Sequence, residues 1–286
     1  MNPIVRPAGE ADIDAVVELL HTRMNPKIPR ARWRRILDYP WRPPDVERGW
    51  LVEAEGEVVG FMATIYSDRP TPLGIRRFCD LGSWYLLREH RGSGVGDALL
   101  RAGMARPDVT YATMTARAAT GRKIRALGFQ VLDDTRSLFE PRPGAASGLT
   151  VEPATLQAVA VIGPEAERIV ADHEGLPVSH AILREGDKAV HLAYHVKLKG
   201  EDIAYCEVLH VGDPGFLAPR AQALADRLAR PERGVLAVDA RFMQGAVDKG
   251  RIEALPLARW FRSPDVDPIA VDHLYSEIVL LDLKLP

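Results

Sequence analysis

Gly92, Gly94 and Gly96 stand at alternate positions between an apolar, aromatic-rich run and a helical pattern, in the stretch 81–100 that reads LGSWYLLREHRGSGVGDALL. A strand that turns through glycines into a helix presents bare backbone N–H groups at a helix N-terminus. There the positive end of the helix dipole favours a phosphate. Glycine also lets a ligand approach closely, because no Cβ stands in the way. The chemistry on offer is anion binding, and several loops compete for it. A dinucleotide fingerprint requires G-x-G-x-x-G within repeated β-α-β units; the spacing here is G-x-G-x-G and the surrounding pattern lacks those repeats. A P-loop ends in Gly-Lys-Ser/Thr, whereas Gly96 is followed by Asp97. A helix entry that merely needs glycine is the plain structural alternative.

Arg91-Gly-Ser-Gly94-Val-Gly96 fits R/Q-x-x-G-x-G/A. That is the pyrophosphate-binding motif of the GCN5-related N-acetyltransferase (GNAT) superfamily, which the chain resembles here. The flanking elements follow the same order. Residues 3–8 read as a strand, and residues 9–12 open a helix with Ile13, Val16, Val17, Leu19 and Leu20 at its apolar positions. A second helix is expected over 30–37. Residues 50–54 and 57–66 flank the turn Glu55-Gly56-Glu57 as a hairpin. Residues 67–77, with Pro70, Pro72 and Gly74, read as a loop. The central strand, 78–87, enters the glycine loop, and a helix runs from there to about residue 106. A strand at 109–115 and a helix at 118–127, stopped by Gly128, precede a last hairpin of 129–132 and 136–140 around Asp133-Asp134. This order is similar to the acyl-CoA N-acyltransferase fold. The expected class is therefore α/β (α+β), a mixed central sheet flanked by helices.

Residues 1–142 form the expected N-acetyltransferase domain, 143–148 lie in a Pro/Gly/Ser-rich linker, and 149–286 form a second domain. The second half reads as a diverged repeat of the first. Strands at 190–199 and 203–211 flank a turn at 199–202, and Cys206-Glu207 corresponds to Cys79-Asp80. Where Arg91 opens the first loop, the second half has Ala218-Pro219-Arg220, and its glycines are absent. Proline removes a donor, so the second half is not expected to bind a phosphate in the same way. A helix at 164–174, a strand at 234–239 and a closing strand at 274–283 complete the reading. An unrelated α/β domain built from common elements is the alternative.

The 286 residues carry a net charge of −2 and 47% apolar residues, ordinary for a globular protein. The first half is mildly basic and the second acidic. That balance suits a polyanionic cofactor and is too weak and dispersed to argue for nucleic acid. No apolar run approaches the roughly 20 residues of a membrane span, and the N-terminus lacks the apolar core of a signal peptide. Cys79 and Cys206 read as buried thiols of a reducing, cytoplasmic compartment. The histidines show no metal-ligand spacing, so no metal is expected. Oligomeric state is not legible.

The resemblance implies transfer of an acyl group from acetyl-CoA, or another acyl-CoA, to an amine on a small molecule or peptide. It implies that the backbones of Trp84, Tyr85 and Leu86 pair with the pantetheine arm, and that Arg91, Gly92, Ser93, Gly94, Val95, Gly96 and Asp97 hold the pyrophosphate. A strand-end N–H near Leu86 or Leu87 would polarise the thioester carbonyl. In part of the family a strand carboxylate eleven residues before the loop Arg/Gln acts as general base, and here that position is Asp80. Capping of the strand, or pairing with Arg76 or Arg77, is the structural alternative for Asp80. Strand alternation puts Asp80, Gly82 and Trp84 on one face and Leu81, Ser83 and Tyr85 on the other. The family's usual Asn and general-acid Tyr positions are occupied by Arg117 and Ile124, which leaves Tyr111 and Tyr85 as substitutes. The missing acid keeps open a second reading, a catalytically inactive acyl-CoA sensor or scaffold.

Overall fold

Apolar runs such as 203–206 and 235–238 become paired strands. The structure is a computed structural model that describes residues 3–142, 144–200 and 202–286. Pro143 of the expected linker and Glu201 of the expected turn lie outside the described residues. In chain order the elements begin β1 (Ile4–Pro7), α1 (Ile13–Leu19), α2 (Arg30–Arg34), β2 (Trp50–Ala54), β3 (Glu57–Thr71), β4 (Gly74–Leu86), α3 (Val95–Gly103), β5 (Thr110–Thr113), α4 (Ala118–Arg125) and β6 (Gln130–Phe139). They continue β7 (Thr150–Pro153), α5 (Leu156–Val159), α6 (Pro164–Asp172), β8 (Ser179–Glu185), β9 (Lys188–Lys199), β10 (Ile203–Val211), α7 (Pro214–Leu217), α8 (Ala221–Leu228), β11 (Gly234–Asp239), β12 (Arg251–Arg262) and α9 (Glu277–Leu280). The α/β class and the mixed sheet with flanking helices match the expectation.

Two compact units form. The first holds Met1–Gln130, Trp260–Asp267 and Tyr275–Leu283; the second holds Val131–Arg259, Pro268–Leu274 and Lys284–Pro286. Both late segments of the first unit come from far down the chain, and one of them completes the site described below.

In the first unit the strands run β1-β2-β3-β4-β5, with the end of β12 antiparallel to β5 through Trp260↔Thr113. β4 is antiparallel to β3 and parallel to β5. Residues 67–77, expected as a loop, instead extend the β3–β4 hairpin, with Pro70 opposite Ile75 and Thr71 opposite Gly74. Pro72 and Leu73 make the turn, closed by Gly74 at φ 92°. Asp68 and Arg77 pair across the strands at 2.7 Å. The prolines therefore sit at the hairpin end, where a missing N–H costs little.

The parallel pairing of β4 with β5 spans only Phe78↔Thr110 to Asp80↔Ala112. Past Asp80 the two strands part. In that stretch β4 carries a bulge: Ala63 faces Gly82 and Phe61 faces Tyr85, so β4 has one residue more than β3. Ser83 takes up the irregularity at φ 46°. A bulge re-aims the side chains beyond it, and strict alternation fails at Ser83.

In the second unit the order is β12-β6-β11-β10-β9-β8-β7. Leu192, Val208, Leu217, Leu224, Leu236 and Val238 are among its buried core residues. The expected hairpin at 129–140 is one strand, β6. Asp133 does not turn the chain, because its carboxylate is buried and bound by the Arg241 backbone N–H at 2.9 Å and by the Arg241 guanidinium. The succession of pairings repeats that of the first unit. Cys79 and Asp80 face Tyr111 and Ala112 in parallel; Cys206 and Glu207 face Leu236 and Ala237 in parallel. β10 also carries an extra residue, between Val208 and His210. The stretch 274–283, expected as a strand, is the short helix α9 and its flanks, with Ser276 as N-cap.

Candidate active site

The parting of β4 from β5 opens a cleft of about 1070 Å³ in the first unit. Leu81 to Leu86 form one wall, and Thr113, Thr115, Ala116 and Arg117 the other. Strand geometry decides which amides of β4 face it. Leu87 N–H is used by Val59 O at 2.9 Å, on the β3 side. Alternation then turns Leu86 N–H to the opposite edge, towards the cleft. Of the two amides expected to polarise a carbonyl, Leu87 is thus occupied by Val59 and Leu86 faces the cleft.

At one end of the cleft lie Gly92, Gly94 and Gly96 at the start of α3. Gly92 and Gly94 have φ of 84° and 86°, and nothing stands within 4 Å of where their Cβ atoms would be. The space in front of the loop is open, and the first amides of α3 lack intrahelical partners. Arg91, Arg117 and Lys123 line the same cleft. Arg91 Nε donates to Leu86 O at 2.9 Å, which anchors the loop to the strand end. Asp97 is paired with Lys123 at 2.5 Å. Ser93 and Val95 do not line the cleft: Ser93 Oγ donates to His90 O, and Val95 is buried beneath the loop. The contribution of these two is limited to their backbones. A polyanion fits this end, with donors from the amides and charge from the basic side chains.

Deeper in the cleft the structure places a residue that sequence reasoning missed, Glu277. Its carboxylate accepts Ser83 Oγ–H at 2.6 Å on Oε2 and Thr115 Oγ1–H at 2.5 Å on Oε1. Its own amide donates to Asp80 Oδ2 at 3.0 Å. A Cβ on Gly82 would lie 2.3 Å from the Glu277 carboxyl carbon, so only glycine admits this side chain. The bulge is what brings Ser83 to the same partner as Gly82. Asp80 Oδ1 is buried without a hydrogen-bond partner. Burial pushes the Asp80 carboxyl well above the usual range, and the nearby Glu277 charge adds to it. Burial also raises Glu277, against the Ser83 and Thr115 hydrogen bonds. The two acids form a desolvated pair of which Glu277 lines the cleft.

Tyr111 is placed elsewhere. It is fully buried on β5, does not line the cleft, and its hydroxyl accepts the Arg106 amide at 3.1 Å. Tyr85 and Trp84 do line it, and the Arg91 guanidinium lies 5.7 Å from the Tyr85 ring centre. One signal for Glu277 was present in the sequence: a lone acid inside Leu274-Tyr-Ser-Glu277-Ile-Val-Leu-Leu281. A carboxylate in such apolar company is buried only with partners.

Glu207, expected as the counterpart of Asp80, is buried among partners. Glu207 is held by His195 Nε2 at 2.7 Å, Lys199 Nζ at 2.5 Å and Arg136 at 3.2 Å. Arg220 is tied to Glu185 at 2.5 Å and to Phe216 O at 3.0 Å.

A bulged strand that parts from its parallel neighbour beside a glycine-rich helix start, within a mixed sheet flanked by helices, matches the acyl-CoA N-acyltransferase fold. Residues 13–106 match the family model for acetyltransferases of the GNAT family. Among solved structures, a GCN5-related N-acetyltransferase from Anabaena variabilis is similar at 11% identity and a TM-score of 0.59, covering 91% of this chain and 72% of its own. One from Kribbella flavida is similar at 14% identity and a TM-score of 0.57, covering 92% and 72%. At that identity the likeness is one of fold. A search of the curated proteins finds no match. Among the described residues, no helix is long and apolar enough to cross a membrane. Cys79 and Cys206 are free and buried.

Proposed function

We propose that the first unit transfers an acyl group, acetyl in the simplest case, from acyl-CoA to an amine, with Glu277 as general base. The observation that carries this reading is a single cleft that joins the glycine loop, the unpaired edge of β4 and a buried carboxylate. The amides of residues 92–97, with Arg91, Arg117 and Lys123, take the pyrophosphate and neighbouring phosphates. The open edge at Trp84, Tyr85 and Leu86 takes the pantetheine amides as an added strand. Leu86 N–H meets the thioester oxygen and stabilises the charge that develops there.

An alkylammonium has a pKa of about 10.4 and must lose a proton before attack. Glu277 accepts that proton; its raised pKa makes it a better base than an exposed glutamate. The amine nitrogen then bonds to the acyl carbon, the C–S bond breaks, and coenzyme A leaves as a thiolate. Water or Tyr85 returns a proton to sulfur; Tyr111 has no route to it. Asp80, expected as the base, stands behind Glu277 and fixes its backbone. The second unit is read as a diverged copy with no acyl-CoA site, since Glu207 and Arg220 are both consumed by internal partners.

Calorimetric titration with acetyl-CoA, followed by thiol release in the presence of amines, tests the proposal. One site per chain and amine-dependent thiol release are expected. Two sites would refute the reading of the second unit. Binding without turnover of any amine would favour the sensor or scaffold, and no binding of any acyl-CoA would refute both.

A further inference from the structure

Of the carboxylates that line the cleft, Asp97 and Glu277, the first is already paired with Lys123. Arg23, Arg91, Arg117 and Lys123 also line it. With Lys123 taken by Asp97, a polycationic acceptor would meet one carboxylate against Arg23, Arg91 and Arg117, and like charges in a confined cleft cost affinity. Arg91, Arg117 and Lys123 flank the glycine loop and α4, at the end assigned to the cofactor. Arg23 stands apart, on the turn Leu20–Met24 that extends α1. It is exposed and has no ion pair or hydrogen bond among the described residues. Around it the wall is apolar: Met24, Ile28, Trp33, Leu281 and Leu283. The Trp33 indole N–H is taken by Asn25 O, so that side chain offers only its ring.

We infer, building on the acyltransferase reading, that the acceptor is a monoamine with an apolar body and one carboxylate, as in an apolar α-amino acid. The amine meets Glu277, the apolar side chain lies on the wall of Met24, Ile28 and Trp33, and the carboxylate meets Arg23. Guanidinium matches carboxylate in a two-pronged geometry that an ammonium lacks. An apolar wall gains from burying an aromatic or branched side chain. Polyamines and amino sugars are excluded by the same lining.

The test is thiol release from acetyl-CoA by the full chain with phenylalanine, phenethylamine, spermidine and kanamycin. Expected is a kcat/KM for phenylalanine about tenfold above that for phenethylamine, the size of one charge-assisted contact, with spermidine and kanamycin below both. Arg23→Ala should raise KM for phenylalanine about tenfold with little change in kcat, and so erase the preference over phenethylamine. Faster turnover of spermidine or kanamycin overturns the inference, as does a preference that survives in Arg23→Ala. Turnover of none of the four by a protein that binds acetyl-CoA overturns the acceptor class and leaves the acyltransferase reading to other amines. Failure to bind acetyl-CoA removes that reading itself.

Discussion

The amide of Glu277 donates to the Asp80 carboxylate at 3.0 Å, although 197 positions separate them in the chain. Asp80 lies on the central strand and Glu277 at the start of the last helix, and that bond seats the glutamate over Gly82. The site is therefore built from segments far apart in the chain.

Glu277→Gln keeps the volume of the side chain and a carbonyl for Ser83 or Thr115, but it cannot accept a proton. Loss of about 10²- to 10⁴-fold in kcat/KM is expected, the usual span for a general base, with acetyl-CoA affinity unchanged by calorimetry. Retention of full turnover would assign the base elsewhere.

The pH profile follows from the directions of the two shifts. Glu277 must be ionised to act, so kcat/KM should rise with pH through an apparent pKa above the ordinary glutamate range. Burial rather than the Asp80 charge raises Glu277, and Asp80 is itself pushed well above the usual carboxylate range, so Asp80→Asn should leave that limb in place. A limb that moves to lower pH would show that Asp80 is ionised and acts on the glutamate through its charge. In stability the sign is opposite to that of an ion-paired acid whose pKa is lowered in the fold. A carboxyl with a raised folded-state pKa favours the fold below its unfolded-state value, and that contribution is lost as pH rises through the folded-state one.

Gly82→Ala brings a Cβ to 2.3 Å from the Glu277 carboxyl carbon. The glutamate must leave its place. Turnover should fall at least about tenfold, consistent with the cost of a misplaced catalytic group, while acetyl-CoA still binds. A crystal structure of the variant with Glu277 unmoved would contradict this account.

Gly94 has φ 86° and open space in front of it. Gly94→Trp forces a side chain into the left-handed region, at about 1–2 kcal/mol, and fills the space where the pyrophosphate is expected. Acetyl-CoA binding should disappear from calorimetry, with the thermal midpoint lowered by a few degrees. Undiminished binding would move the phosphate site away from the loop.

A chain of histidines in the second unit sets a separate acid limit. His180 Nδ1 and His191 Nε2 lie 3.1 Å apart in stacked rings, with His173 and His210 beside them and Asp272 bound to His210 at 2.7 Å. Burial lowers His180 to about 4 and His191 to about 3. The unfolded chain takes up those protons near pH 6.5, so stability should fall as pH drops from there towards 4. Each group contributes on the order of 1.4 kcal/mol per pH unit. Denaturation midpoints at pH 7.5 and 5 should differ, and His191→Phe should narrow the gap. An equal gap in the variant would place the acid sensitivity in other groups.

Much of this protein was legible from local pattern. The glycine loop, its strand and its helix follow from residue type and spacing over 20 consecutive positions. The paired apolar runs at 57–66 and 78–87, and the lost glycines of the second half, were legible for the same reason. Chain geometry over short distances depends on neighbours that the sequence displays side by side. The errors lie where a pairing overrides what the residue types suggest. Residues 67–77 look like a loop until each finds its opposite across the hairpin, and Asp133-Asp134 looks like a turn until Arg241 neutralises one of its acids.

The amino-acid order by itself determined the glycine loop proposed to take the phosphates, because that loop is one contiguous segment whose chemistry is backbone N–H and glycine. Only the tertiary structure brings out the proposed base. Glu277 is held by Asp80, Ser83 and Thr115 and seated over Gly82, and none of these is within 160 positions of it. A bulge of one residue at Ser83, invisible in composition or periodicity, turns that hydroxyl to the carboxylate. Desolvation by packing is a property of the assembled unit, so the residue type alone could not assign the role.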